Sequence, residues 1–172
     1  MIRGGQGGGK TKTGLRFESR ITLEKAISSI PNYKVLNDKI FYKDQKVAEL
    51  YQKHKLYKNL LEPNKIDYSK IISKKLLPDD AILILKDKIL YIVEIKFQEV
   101  AGSVDEKLQT CDFKNKEYRK LLAPLNISVK YVYILNNWFK KQEYRDVLDY
   151  IKLVGCYYFF KELPMEFLGL PV

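Results

Sequence analysis

The chain has 172 residues, 46% of them hydrophobic, a length and composition typical of one globular domain with a sizeable core and not of a disordered chain. The net charge of +10 and the pI of about 9.4 favour an anionic partner, most often nucleic acid. No apolar run approaches the roughly 18 residues of a membrane-spanning helix, and the N-terminus lacks the apolar segment of a secretory signal, so we expect no membrane partner.

Cysteine and histidine are too scarce for a zinc site. Cys111 and Cys156 stand far apart in the sequence, and His54 is the only histidine. Neither cysteine belongs to a CxxC pair, the spacing that zinc sites commonly use. We therefore expect a reducing, cytoplasmic location.

The first 13 residues are rich in glycine and basic residues. Gly4 to Thr11 matches the G-x-x-x-x-G-K-[ST] pattern of phosphate-binding loops. That loop needs a buried strand before it, and only three residues precede Gly4, so we expect no nucleotide cofactor. Residues 1–13 are predicted to form a basic arm, in which Lys10 and Lys12 are candidate contacts for a phosphate backbone.

Hydrophobic periodicity and turn residues predict most of the remaining elements, and the segment 62–75 stays unassigned. The predicted helices and strands are, in chain order, a helix over 15–30, a hairpin of 33–36 and 40–42, a helix over 45–61, a hairpin of 81–85 and 89–97, a helix over 103–122, a strand over 129–135, a helix over 138–153 and a strand over 156–160. Residues 162–172 are predicted to pack irregularly. This order predicts one α/β domain over residues 1–172, with a mixed central β-sheet flanked by helices.

The predicted hairpin of 81–85 and 89–97 carries charges where a buried strand should be apolar. Glu94, Lys96 and Gln98 follow one another at a spacing of two, which places them on one face of a strand. Asp79 precedes the first strand of the hairpin, so the turn brings it to the same end of the sheet as Glu94. Asp80 is the alternative to Asp79, because the sequence does not fix the first residue of that strand. Clustered carboxylates are expected to raise the pKa of at least one of these acids.

These residues resemble the PD-(D/E)XK nuclease superfamily, which includes type II restriction endonucleases, junction resolvases and repair nucleases. Pro78-Asp79 followed by Glu94-Ile95-Lys96 matches the superfamily motif, and the run from Gly102 to Leu108 looks like restriction-endonuclease sequences. The resemblance implies a restriction-endonuclease-like core. It makes Asp79 and Glu94 metal ligands and Lys96 the catalytic lysine.

Further site residues follow from the resemblance and from position. A glutamate on the first helix is an accessory metal-site residue in many members of the superfamily, and Glu18 matches it. Gln98 is a candidate to bind a water molecule or a phosphate oxygen. Ser103 is predicted to cap the helix that follows, with Glu106 completing a capping box. Ser103, Lys107 and Arg16 are candidate DNA contacts.

The resemblance implies a magnesium-dependent hydrolase of double-stranded DNA, with Mn²⁺ as a substitute for Mg²⁺ and a homodimer as the expected assembly. The alternatives are a Holliday-junction resolvase or repair nuclease, and a non-catalytic DNA-binding module. Base contacts are expected from residues of the same domain, and the candidates by residue type alone are Asn136, Asn137, Gln142 and Arg145.

Overall fold

The computed structural model describes residues 14–17 and 21–172, and these form a mixed sheet with helices on both faces. The described residues form nine strands, namely β1 (Gly14–Arg16), β2 (Tyr33–Leu36), β3 (Lys39–Tyr42), β4 (Gln45–Leu50), β5 (Asp80–Ile84), β6 (Ile89–Lys96), β7 (Ser128–Leu135), β8 (Tyr157–Phe160) and β9 (Glu162–Pro164). The α-helices are α1 (Leu23–Ser28), α2 (Val104–Lys107), α3 (Cys111–Leu122), α4 (Arg145–Leu153) and α5 (Met165–Leu168).

Shorter helical turns fill several connections. A π-helical turn covers Leu56–Leu61, and 3₁₀ turns cover Glu62–Asn64, Tyr68–Lys70, Leu108–Thr110, Ala123–Leu125, Asn137–Lys140 and Gln142–Tyr144. Within the described residues, every helix is too short or too polar to cross a membrane.

The seven-stranded sheet has the simple order β2-β3-β4-β5-β6-β7-β8. Its first five strands run antiparallel to one another, and β6, β7 and β8 run parallel. The predicted mixed α/β architecture is therefore confirmed. A second sheet pairs β1 with β9 at the register Leu15 to Leu163.

The sheet separates two apolar cores. On one face, Leu90, Ile92 and Tyr131 pack with α3, α4 and the π-helical turn. On the other face, Ile82, Tyr91 and Val93 pack with α1, α5 and the small sheet. β5 and β6 have apolar residues on both faces because helices cover both sides, as the nearly continuous apolar runs of the sequence predicted.

Two predicted helices in the N-terminal half are wrong in part. Residues 45–50 form β4, not the start of a helix, because Ala48 and Leu50 become buried when this segment pairs between β3 and β5. The helix predicted over 15–30 extends only from Leu23 to Ser28, after a Thr22 cap that accepts a hydrogen bond from the Lys25 N–H. Leu15 instead lies in β1, because pairing with Leu163 of β9 places its side chain in the core.

The C-terminal half follows the sequence more closely. The predicted strands over 129–135 and 156–160 are present, and Gly155 (φ 75°) ends α4 in the left-handed conformation expected of a glycine after a helix. The helix over 103–122 is present but contains a 3₁₀ turn, Leu108–Thr110. The tail, predicted to be irregular, contains β9 and α5.

Helix α3 provides a test of the core on its face of the sheet. Leu121 is completely buried, so Leu121→Ala should lower the free energy of unfolding by about 2–5 kcal/mol through lost burial and the cavity that remains. Leu153, at the end of α4, is 85% exposed, so Leu153→Ala should change the free energy of unfolding by less than about 0.5 kcal/mol. Urea unfolding measures both values, and similar losses for the two variants would contradict this packing.

Candidate functional site

An open cleft lies at the end of the sheet where β5 begins and β6 ends. Its volume is about 510 Å³. The residues that line it are Ile21, Thr22, Gln52, Lys53, Asp79, Asp80, Ile95, Lys96, Val104 and Lys107. Charged and polar side chains from five separate segments of the chain therefore meet at one edge of the sheet.

The centre of the site is a lysine ammonium that bridges two carboxylates. Lys96 Nζ lies 2.7 Å from Glu94 Oε2 and 3.1 Å from Asp79 Oδ2. The Glu94 side chain is 6% exposed and the Asp79 side chain 51% exposed, so one acid is buried beneath Lys96 and the other faces the cleft. The sequence prediction that Asp79, Glu94 and Lys96 lie together is confirmed by these contacts.

The strand register explains why these three side chains meet. Asp80 pairs with Val93, so Asp79 and Glu94 are neighbours one step beyond the last paired residues. Side chains alternate along a strand, which places Glu94 and Lys96 on the same face as Asp79. The hairpin itself therefore positions the cluster.

The Lys96 ammonium is strongly held in its charged form. Burial on its own lowers the pKa of Lys96, but Glu94 and then Asp79 outweigh this effect and hold that pKa above its ordinary value. Behind Glu94, Tyr118 and Tyr131 are buried, and burial, with a smaller contribution from the Glu94 charge, raises the pKa of both hydroxyls. Lys96 thus neutralises a buried carboxylate next to buried tyrosines.

Asp80 lies on the opposite face of β5 and has a different role. It is 3% exposed, its Oδ2 accepts a hydrogen bond from the Leu23 N–H at 3.1 Å, and its Oδ1 accepts one from Gln52 Nε2. Burial raises the pKa of Asp80, while Asp79 adds a smaller effect in the same direction. One acid's pKa is thus raised as expected, but desolvation and not carboxylate clustering is the main cause.

Gln98 continues the same face of the chain beyond the end of β6. The Gln98 N–H donates to Asn136 Oδ1 at 3.3 Å, and Asn136 Nδ2 donates to the Gln98 carbonyl at 2.7 Å. The Gln98 side-chain amide is buried and has no hydrogen-bond partner among the residues that the structure describes. Asn136, a candidate for base contacts, is instead engaged in holding the end of β6 beside the end of β7.

Helix α2 forms the wall of the cleft on the β7 side. Lys107 is exposed and lines the cleft, and its carbonyl accepts a hydrogen bond of 3.1 Å from the Tyr133 hydroxyl. Ser103 precedes the helix, but its side chain makes no capping hydrogen bond, so the predicted capping box is not formed. The Ser103 backbone is already helical (φ −64°, ψ −5°), whereas a capping residue is usually extended.

Two residues of the site were missed by sequence reasoning. Lys114 Nζ lies 3.9 Å from Glu94 Oε2, which makes Lys114 a second cation beside the buried acid. The signal was present, because Lys107 and Lys114 are seven residues apart and so lie on one side of the predicted helix. Gln52, which binds Asp80, carried no such signal, because its segment was predicted as helical.

Several predicted site residues lie away from the cleft or outside the residues that the structure describes. Glu18, Lys10 and Lys12 fall outside residues 14–17 and 21–172, so their predicted roles stay predictions. Arg16 is exposed on β1, opposite Glu162 of β9, and is not part of the cleft lining. Arg145 is exposed and pairs with its neighbour Asp146 at 3.3 Å.

The donor set at the centre of the site suits a hard divalent cation. Asp79 Oδ2 and Glu94 Oε2 converge on the Lys96 ammonium, so both oxygens reach a single positive charge. Mg²⁺ prefers oxygen ligands and keeps several waters, so two carboxylates suffice. A group of three potential ligands among His, Cys, Asp and Glu does not occur within the described ranges, since Asp80 points to the other face.

Comparison with known proteins adds no relative to this picture. No protein-family model, curated protein or solved structure matches the chain.

Asp80 provides a pH-dependent test of this assignment. Because its pKa is higher in the folded chain, Asp80 favours folding when it is protonated, and this contribution is lost as the pH rises from about 4 towards neutrality. Asp80→Asn keeps an oxygen for the Leu23 N–H and does not ionise. The stability of Asp80→Asn relative to wild type should therefore increase from pH 4 to pH 7 in urea unfolding without divalent metal. A stability difference that is constant across this range would contradict a raised pKa of the buried Asp80.

Proposed function

We propose that this chain is a magnesium-dependent endodeoxyribonuclease that hydrolyses phosphodiester bonds in double-stranded DNA, similar to a type II restriction endonuclease of the PD-(D/E)XK superfamily. The observation that carries the proposal is the convergence of Asp79 and Glu94 on Lys96 at the mouth of an open cleft. A structural ion pair would explain Glu94 and Lys96, but it would not require Asp79, just before the neighbouring strand β5, to share the same ammonium.

Hydrolysis of a phosphodiester requires an activated water and positive charge beside the phosphate. Mg²⁺ bound by Asp79 and Glu94 would supply Lewis-acid charge and a water of lowered pKa, and Mn²⁺ can substitute. Glu18 is a further candidate ligand by resemblance. The buried position of Glu94 fixes one ligand, while the exposed Asp79 provides the other from the cleft side.

The described side chains divide the remaining tasks. Lys96, which pairs with both carboxylates in this structure, would present its ammonium to the phosphate and orient the attacking water when Asp79 and Glu94 hold a cation. Lys114 remains beside Glu94 as a second positive charge. Gln98, whose amide is unpartnered within the described part of the chain, can bind a water on the same side. Lys107 binds the backbone beside the scissile phosphate, and Ser103, Arg16, Lys10 and Lys12 are further candidate contacts.

We infer that the enzyme acts as a homodimer in the cytoplasm. A two-fold symmetric dimer matches the two strands of a palindromic duplex, and one subunit then cuts each strand. A basic chain of net charge +10 is suited to such a polyanionic substrate.

Sequencing the ends produced from a mixed plasmid and phage DNA with Mg²⁺ tests the proposal. Discrete ends at one short sequence support the restriction activity, and random ends indicate a nonspecific nuclease. A four-way junction cut in preference to linear duplex would identify the resolvase alternative instead. Binding of DNA without cleavage in either Mg²⁺ or Mn²⁺ would refute the enzyme and leave the DNA-binding module.

Substitution of the central residues should abolish cleavage. Lys96→Ala and Glu94→Ala each remove a group that acts on the water, the phosphate or the metal, so we expect the rate constant at saturating DNA to fall by at least about 100-fold. The matched controls are Lys120→Ala and Glu117→Ala, which break a 2.7 Å ion pair of the same residue types on α3. Full magnesium-dependent cleavage by both central variants would rule out this site, provided that circular dichroism shows all four variants folded.

A further inference from the structure

We propose that the cleaved DNA strand crosses the edge of the sheet from β4 to β7, and that Lys53 binds its backbone on the β4 side of the scissile phosphate. This inference rests on the proposed nuclease function and names its substrate path. Lys53 follows β4, is exposed, and lines the cleft together with Asp79 and Lys107.

The backbone of Lys53 is hydrogen-bonded next to Asp79. The Lys53 N–H donates to the Pro78 carbonyl at 2.9 Å, one residue before Asp79. Two residues earlier, the Tyr51 N–H donates to the Ala81 carbonyl at 2.8 Å. These bonds continue the pairing of β4 with β5, so the Lys53 backbone keeps a fixed position relative to the start of β5.

The charges of the neighbouring lysines are already neutralised by acids. Lys46 pairs with Glu49 at 2.8 Å and Lys55 pairs with Asp38 at 2.6 Å. Lys53 makes no ion pair with any residue in the described ranges. Of Lys46, Lys53 and Lys55, Lys53 is therefore the one whose charge is available to a ligand, and it lines the cleft.

The order of charges along the sheet edge fits one strand of a duplex. Lys53 follows β4, Asp79 precedes β5, Lys96 ends β6, and Lys107 is anchored on Tyr133 of β7. Adjacent strands are about 4.8 Å apart, so the sheet edge from β4 to β7 extends over about 14 Å. One strand of B-DNA carries a phosphate every 3.4 Å or so along the axis, which gives room for several successive phosphates. The scissile phosphate then lies over the carboxylate–lysine cluster, with a lysine on each side.

The backbone of Lys53 permits a substitution that removes the charge with little strain. Its φ of 46° is in the left-handed region that glycine adopts readily, so Lys53→Gly should leave the melting temperature unchanged or raised. Lys88 provides a matched control. It is exposed, has a φ of 50°, and lies in the turn between β5 and β6, about 25 Å from the cleft by the length of β6.

The experiment measures the affinity for a duplex that the wild type cuts, over a range of salt and without divalent metal. We expect Lys53→Gly to weaken binding by about threefold to tenfold at low salt and to reduce the slope of log K against log salt by about 0.9, the value for one phosphate. Lys88→Gly should change neither quantity, and Lys53→Arg should retain both. Equal affinity and slope for Lys53→Gly and Lys88→Gly would overturn the proposed contact while leaving the nuclease function intact.

A double variant tests the path itself. If Lys53 and Lys107 bind different phosphates, the losses in log K of Lys53→Gly and Lys107→Ala should add in the double variant, with a slope change of about 1.8. A double variant that is no weaker than the stronger single variant would mean that both lysines share one phosphate, and the row across the sheet edge would be wrong. A wild type that neither binds nor cuts DNA would overturn this inference and the proposed function together.

Discussion

The bridge from Lys96 to two carboxylates is the interaction on which the rest of the site depends. Glu94 is nearly inaccessible and lies in front of buried tyrosines, where an unpaired negative charge would be costly. Lys96 supplies the compensating charge and also reaches Asp79 at the surface. A divalent cation bound to the same oxygens would neutralise them in place of Lys96. Without a cation, Lys96 keeps both carboxylates charged and close together.

Two adjacent acids show how strand alternation divides structure from chemistry. Asp79 faces the cleft and shares the Lys96 ammonium, whereas Asp80 turns to the other face and binds the start of α1 through the Leu23 N–H. Gln52, from the segment after β4, completes the environment of Asp80. Asp80 thus fastens α1 and the segment after β4 to the start of β5, while the Asp79 carboxylate is exposed to the cleft beside Lys96.

The local pattern of residues 45–61 predicts a helix, but the first part of this segment is a strand for a physical reason. Val47, Leu50 and Tyr51 have a spacing that suits a helical face, but pairing with both β3 and β5 satisfies the backbone and buries Ala48 and Leu50. Tertiary pairing therefore outweighs local preference. The consequence reaches the site, because only a strand here brings Gln52 and Lys53 to the cleft and makes Lys53 a wall of it.

The sequence by itself determined the buried hairpin, the β7 and β8 strands, the mixed α/β class, and the grouping of Asp79, Glu94 and Lys96, because period-two alternation and a short turn leave few other arrangements. It also favoured Asp79 over Asp80, which the register explains. The tertiary structure decided that Lys114 approaches Glu94, that Asn136 holds Gln98, and that Lys53 lines the cleft. These contacts join segments between about 20 and 40 residues apart, so they depend on how helices and strands pack. A local pattern places Lys107 and Lys114 on one side of a helix, but it does not encode which strand that side faces.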